Sequence, residues 1–292
     1  MTHLGLVEAG GTKFVLGIAD GDGTIVARHR IATTEPEETL GACLDWFGAH
    51  GHGYAAIGLA SFGPLNLDRT DPGWGRVIRT TKQGWGGADL VGPFARKFEC
   101  PVGLETDVNG AALAEARWGA GRGHNSLLYL TIGTGVGGGF VSDGRLLQGL
   151  THPEMGHIPL PRHRTDLAFA GNCSFHGDCL EGLVAGPAVI ARWGANLSEL
   201  PDRHPGKDMV AWYVGAAIVA FRAILAPARI VLGGGVMDTP GMVERIVAKV
   251  RERAGGYFAG DAAEIIVRPA LGSDSGLLGA LAVARAVLDR SQ

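Results

Sequence analysis

Two glycine-rich turns, each opening a similar run of strands and helices, constrain this chain more than any other feature. The first, Glu8-Ala9-Gly10-Gly11-Thr12-Lys13, lies between the strand-like runs Leu4–Val7 and Phe14–Ile18. A third run, Ile25–Ile31, follows a Gly21–Thr24 turn. Next comes a helix from Pro36, with Thr34 as its expected cap and Leu40, Leu44 and Phe47 at helical spacing. A strand at Ala55–Ala60, a helix near Ala88–Phe98 and a strand at Val102–Glu105 complete the set. The second turn, Ile132-Gly133-Thr134-Gly135-Val136-Gly137-Gly138-Gly139, joins Leu127–Ile132 to Gly138–Ser142. After an insertion, the order repeats. A helix at about Met209–Leu225 and a strand at Arg229–Leu232 come first. A helix at Met242–Arg253, a strand at Ile265–Val267 and a closing helix at Ser275–Leu288 follow. A duplicated α/β fold with an interdomain cleft accounts for this repetition, and ligands of such sheets lie outside strand ends.

Glycine is abundant, at 48 of 292 residues, and it clusters in short motifs rather than in a linker. Without side chains, backbone N–H groups can approach an anion, and Thr12 and Lys13 add a hydroxyl and a charge. Each turn alone is also readable as a plain hairpin. The second leads into a strand instead of a helix, so it lacks the context of a nicotinamide-binding loop. Two such turns at equivalent places favour phosphate binding at Gly10, Gly11, Thr12 and Lys13, and at Gly133, Thr134, Gly135 and Gly137. Leu232-Gly233-Gly234-Gly235-Val236 follows a strand and reads, taken alone, as a tight strand–helix connection.

Leu104-Glu105-Thr106-Asp107-Val108-Asn109 ends one strand and begins a helix. Asp107 is placed either to accept a proton from an attacking hydroxyl or to cap the helix through Ala111–Trp118. In the insertion, His152-Pro153-Glu154-Met155-Gly156-His157 precedes Cys173-Ser174-Phe175-His176-Gly177-Asp178-Cys179. Two thiolates and two imidazoles from His157, Cys173, His176 and Cys179 form a tetrahedral zinc set, closed and therefore structural. His152 and His163 are expected on solvated loops. Cys43 and Cys100 read as small buried residues.

The paired turns resemble the two phosphate loops of the hexokinase–actin–heat-shock ATPase superfamily, in which two ribonuclease-H-like domains clamp a nucleotide. Gly233, Gly234 and Gly235 resemble its adenosine loop, with Gly272-Ser273-Asp274-Ser275-Gly276 near the same end of the nucleotide. Within it, Glu-x-Gly-His followed by a cysteine cluster resembles the signature of the repressor–open-reading-frame–kinase (ROK) family. That resemblance runs from Glu8 to Gly279. It implies domains at 1–107 plus 275–292 and at 108–274, the latter carrying the zinc insertion at about 151–182. It implies Asp107 as general base, and Glu154, His157 and Glu181 as hexose contacts. Gly63 and Pro64 resemble a sugar-side loop, and Thr81-Lys82-Gln83-Gly84-Trp85 a segment closing beneath the hexose. Lys82 is readable as a sugar or phosphate contact or as a solvated lysine. Thr106 stands where relatives carry a sugar-binding asparagine, Glu8 where most carry aspartate, and His176 where most carry a third cysteine. These departures resemble the bacterial fructokinase branch. The reaction implied is phosphorylation of D-fructose by ATP with Mg²⁺, with Zn²⁺ structural; a glucokinase or mannokinase is the alternative.

Charge and hydropathy narrow the remaining classes. A net charge of −3 offers no basic field for nucleic acid or an anionic membrane. The longest uncharged apolar run, within Met209–Phe221, is too short to span a bilayer. The absence of a charged-then-apolar leader before Leu4 leads to the expectation of a cytoplasmic protein. From the same start no helix-turn-helix domain of a sugar-responsive repressor is expected, and the zinc insertion argues against an actin-like filament protein. A homodimer is expected from the family.

Overall fold

The computed structural model describes residues 3–290 except 52, 79 and 81, with only the backbone described at residue 290. Thr81, expected beneath the hexose, therefore lies outside the described residues. The chain divides into two compact units, Met1–Arg117 with Gln148–His152 and Leu271–Gln292, and Trp118–Leu147 with Pro153–Ala270.

In the first unit, β1 (His3–Ala9), β2 (Lys13–Ala19) and β3 (Ile25–Ala32) form an antiparallel meander. α1 (Pro36–Ala49), β4 (Tyr54–Ser61), α2 (Gly92–Phe98), β5 (Val102–Thr106) and α3 (Asp107–Trp118) follow. The sheet order is β3-β2-β1-β4-β5, with β4 and β5 parallel to β1. β1 and β4 are buried almost throughout, as expected for strands covered on both faces. Phe14, Phe47, Trp85 and Phe94 fill the core beside Ile57 and Leu59.

The second unit repeats the plan. β6 (Ser126–Ile132), β7 (Val136–Ser142) and the two-residue β8 (Arg145–Leu146) form the meander. α4 (Leu180–Val184), α5 (Gly186–Trp193) and α6 (Pro205–Leu225) precede β9 (Arg229–Gly233). α7 (Met242–Ala254), α8 (Ala262–Ile265) and β10 (Ile266–Val267) close it. Its sheet order, β10-β9-β6-β7-β8, is that of the first unit read from the other edge. The final helix, α9 (Ser275–Arg290), returns to the first unit and packs on β4, β1 and β5.

Four expectations are corrected. Glu35 occupies the N-cap position of α1, while the Thr34 amide donates to Thr39 Oγ1 at 2.9 Å. The helix expected from Ala88 begins at Gly92, because the Asp89 carboxylate accepts the amides of Val91 and Gly92 and holds a turn there. The boundary expected at 107 falls at 117, since a Cβ on Gly110 would stand 2.9 Å from Ala60 Cβ and 3.4 Å from Gly279 Cα, all within the first unit. Finally, α6 is 21 residues and is, by length and composition, apolar enough to cross a bilayer. Its Val210, Ala211, Tyr213, Val214, Ala217 and Ile218 are buried in the core of the second unit, so here it is a core helix.

Candidate functional site

The first glycine turn is tight. The Gly10 amide donates to Lys13 O at 3.0 Å, and a Cβ on Gly10 would stand 2.7 Å from that oxygen. Thr33 braces it, its hydroxyl donating to Gly10 O at 2.8 Å and its amide to Thr12 O at 3.0 Å. Lys82 Nζ donates to Gly11 O, so this lysine stands on the turn rather than in open solvent. A cavity of about 620 Å³ lies beside the turn, lined by Glu8, Lys13, Arg28, Arg30 and the segment Gly272–Leu277. That segment belongs to the first unit, with α9.

Two carboxylates occupy this unit's strand ends. Burial pushes the Glu8 carboxyl above its ordinary value, against the pull of Lys13 and with the nearby Asp107 charge adding to the rise. Burial likewise raises Asp107, whose carboxylate accepts the Val108 amide at 2.8 Å and feels the opposing charge of His152. Asp107 nonetheless remains open to solvent, so protein surrounds the group without sealing it. A carboxylate in such a place is a stronger base than one in water and is still reachable by a hydroxyl.

Thr106 is 4% exposed, and its Oγ1 accepts the Asn109 amide at 3.2 Å, capping α3. Glu105 braces the same corner, accepting from Asn109 Nδ2 at 3.0 Å and from Gln148 Nε2 at 2.7 Å. Gln148 begins the Gln148–His152 segment, which joins the first unit although its neighbours belong to the second. His152, expected on a solvated loop, is instead buried and acts electrostatically on Asp107. Its place directly before Pro153-Glu154 was the available sequence signal. Gly63 and Pro64 follow β4, beside Thr106, whose Cγ2 would be 3.9 Å from a Cβ on Gly63.

In the second unit three expected motifs come together. Within the second turn the Gly133 amide donates to Gly135 O at 2.9 Å, and the Gly186 amide donates to Gly133 O at 2.7 Å. Gly234, at φ +91°, lies against the strand that feeds this turn, where a Cβ would stand 2.5 Å from Ile132 O. Only glycine fits that backbone and that approach. Val136 N also donates to Glu181 Oε2 at 3.0 Å. Gly137 pairs with Thr131 inside the hairpin.

The insertion converges on four side chains. His157 Nδ1, Cys173 Sγ, His176 Nδ1 and Cys179 Sγ all lie within 4.8 Å of one another. The two nitrogens are 3.3 Å apart, and three of the four sulfur–nitrogen separations are 3.5, 3.7 and 3.8 Å. Zinc at about 2.05 Å from nitrogen and about 2.3 Å from sulfur, with tetrahedral angles, requires edges of about 3.4 and about 3.6 Å. The donor set fits zinc in type and in size. Burial pushes the Cys179 thiol up to about 11, so the thiolate needs a cation to hold it there. Gly182 and Gly171 let the hairpin fold back, since a Cβ at either would come within about 2 Å of Gly177 O (1.9 and 2.1 Å). Glu154, exposed, and His157 flank Met155 and Gly156, and Gly156 leaves no space for a Cβ against Val136 O.

A partly buried polar network that sequence reasoning missed holds this insertion on α6. Arg162 donates to Asp178 at 2.8 Å and to the carbonyls of Asp166 and Phe169, each at 2.5 Å. Tyr213 OH donates to Asp166 Oδ2 at 2.8 Å, and Arg192 lies 3.4 Å from the same oxygen.

Residues 4–287 match the sequence profile described as the ROK family. A protein named fructokinase from Zymomonas mobilis is 46% identical over 290 residues, covering 97% of this chain and 96% of its own length. A fructokinase of Pediococcus pentosaceus is 39% identical, with 98% of each chain covered. Among solved structures, a ROK hexokinase from Thermus thermophilus superposes with a TM-score of 0.81 at 28% identity. That match covers 99% of this chain and 100% of the other.

Proposed function

This chain belongs to the ROK family, and on that premise we propose that it transfers the γ-phosphoryl group of ATP to D-fructose, yielding fructose 6-phosphate and ADP. The observation that carries the reading is the 46% identity, over nearly the whole of both chains, to a protein named fructokinase.

In this reading Asp107 takes the proton of the 6-hydroxyl as that oxygen attacks phosphorus. Its raised carboxyl, open to solvent, supports the role. In the turns at Gly10–Lys13 and Gly133–Gly137 the amides of Gly11, Thr12, Thr134 and Gly135 would face the polyphosphate, those of Gly10, Gly133 and Val136 being bonded within the protein, and Gly233–Gly235 would support the adenosine. Mg²⁺ would neutralise charge on the phosphates, and Glu8 would orient water bound to it. The sugar is assigned to Gly63, Pro64 and Thr106 of the first unit and to Glu154, His157 and Glu181 of the second. His157 meets the cluster through Nδ1, which leaves Nε2 for a hydroxyl. Zinc on His157, Cys173, His176 and Cys179 would fold the insertion. A homodimer in the cytoplasm completes the proposal; the exposed Leu167 and Phe175 of the insertion are surfaces that support self-association.

The test is a coupled ADP-release assay with fructose, mannose, glucose and N-acetylmannosamine. The highest kcat/KM is expected on fructose. Preference for another hexose would remove the fructokinase assignment, and no turnover on any sugar would remove the kinase assignment.

A further inference from the structure

We propose that Glu181 is a positioning residue that couples hexose occupancy to the shape of the glycine turn Gly133–Val136. The proposal rests on the reading of Glu181 as a hexose contact. Its Oε2 accepts the Val136 amide at 3.0 Å, and a Cβ on Gly135 would stand 2.8 Å from that same oxygen. The turn is therefore moulded around a carboxylate that comes from elsewhere in the unit. The rest of the turn is already committed, Gly133 N to Gly135 O at 2.9 Å and Gly133 O to Gly186 N at 2.7 Å. Glu181 has little freedom of its own, being in the first turn of α4, two residues after the cluster ligand Cys179. Its backbone carbonyl accepts the Ala185 amide at 3.0 Å.

A carboxylate has two oxygens. Oε2 serves the turn, leaving Oε1 to accept a hexose hydroxyl. A sugar that fixes Oε1 fixes the carboxylate plane, and with it the Val136 amide and the backbone that faces the phosphates. By linkage the coupling runs both ways, so a change in the turn must be felt by the sugar. Neither expected role alone contains this consequence. A phosphate turn that is only a phosphate turn does not alter sugar affinity in the absence of nucleotide.

The experiment is calorimetric titration of the full-length, zinc-loaded protein with fructose and no nucleotide. It compares wild type, Gly135→Ala, Glu181→Gln and the double variant. Gly135→Ala, whose methyl would press on Glu181, is expected to weaken fructose binding by about tenfold, within the usual range of coupling between sites. The double variant is expected to bind no more weakly than Glu181→Gln alone, as residues sharing one interaction are non-additive. Wild-type affinity in Gly135→Ala, or losses that multiply, would overturn the coupling alone. A wild type that binds no fructose would overturn the substrate reading and the coupling with it. Amide hydrogen exchange covers the case in which Gly135→Ala fails to fold. Fructose is expected to slow exchange across 133–136 in wild type and not in Glu181→Gln, and an unchanged wild type would overturn the proposal.

Discussion

Arg162 and Asp178 pair at 2.8 Å, and Asp178 sits next to the cluster ligand Cys179. The guanidinium also holds two carbonyls of the insertion, so its removal leaves several acceptors without their donor. Arg162→Met is expected to cost about 2 kcal/mol, the scale for removing a charged donor from partly buried acceptors. Lysine cannot reproduce the fork and should recover only part of this. Thermal melts and the rate of zinc release to a chromophoric chelator are the measurements, with faster release expected in both variants.

Asp107→Asn is expected to abolish turnover while retaining fructose binding; an active variant would remove Asp107 from the role of base. The substitution should also stabilise the protein. Because burial raises this carboxyl, the folded state holds its proton more tightly than the unfolded chain does. Stability from this group is therefore full at acid pH and lost as pH rises through its shifted range. At pH 7 the variant should melt higher by on the order of 2 °C, and the gain should vanish toward about pH 4.

Gly58 on β4 admits no side chain, because a Cβ there would stand 2.0 Å from Ala280 O and 2.5 Å from Ala284 N of α9. Backbone cannot yield as a side-chain tip can. Gly58→Ala should lower the melting temperature by on the order of 10 °C. Gly41→Ala, where nothing lies within 4 Å of the new methyl, is the control expected to change little.

Lys82→Met removes the ammonium from Gly11 O while keeping the aliphatic stem. If the first turn serves phosphate, KM for ATP should rise by roughly three- to tenfold, the scale of about 1 kcal/mol for a charge-assisted bond, and KM for fructose should stay within twofold. Steady-state kinetics at saturating second substrate separates the two.

The strands and most helices were legible because their apolar periodicity and glycine turns are local signals. Three members of the Cys/His cluster were legible because Cys-x-x-His-x-x-Cys puts Cys173, His176 and Cys179 on one short hairpin, and His157 because it closes the Glu-x-Gly-His motif. The return of α9 to the first unit is what the family resemblance implies, whereas Gly58, Gly103 and Gly110 alone mark close approaches without saying what approaches. His152 was hidden for a related reason, because five polar and apolar residues in a loop carry no periodicity, and only tertiary contact places Gln148–His152 with the first unit. The Arg162 network was equally silent, being assembled from Asp166, Asp178, Arg192 and Tyr213, whose spacing follows no motif.

The return of α9 to β4, β1 and β5 also sets an order of events during synthesis. A ribosome releases residues 3–117 before the second unit, yet their sheet lacks the helix that covers Gly17 and Gly58 until residues 275–290 have emerged. The second unit, whose segments all lie between Trp118 and Ala270, can be complete before then. The half of the protein that is made first is thus the half that finishes last, and its uncovered strands are the part most in need of a chaperone while the chain is still growing.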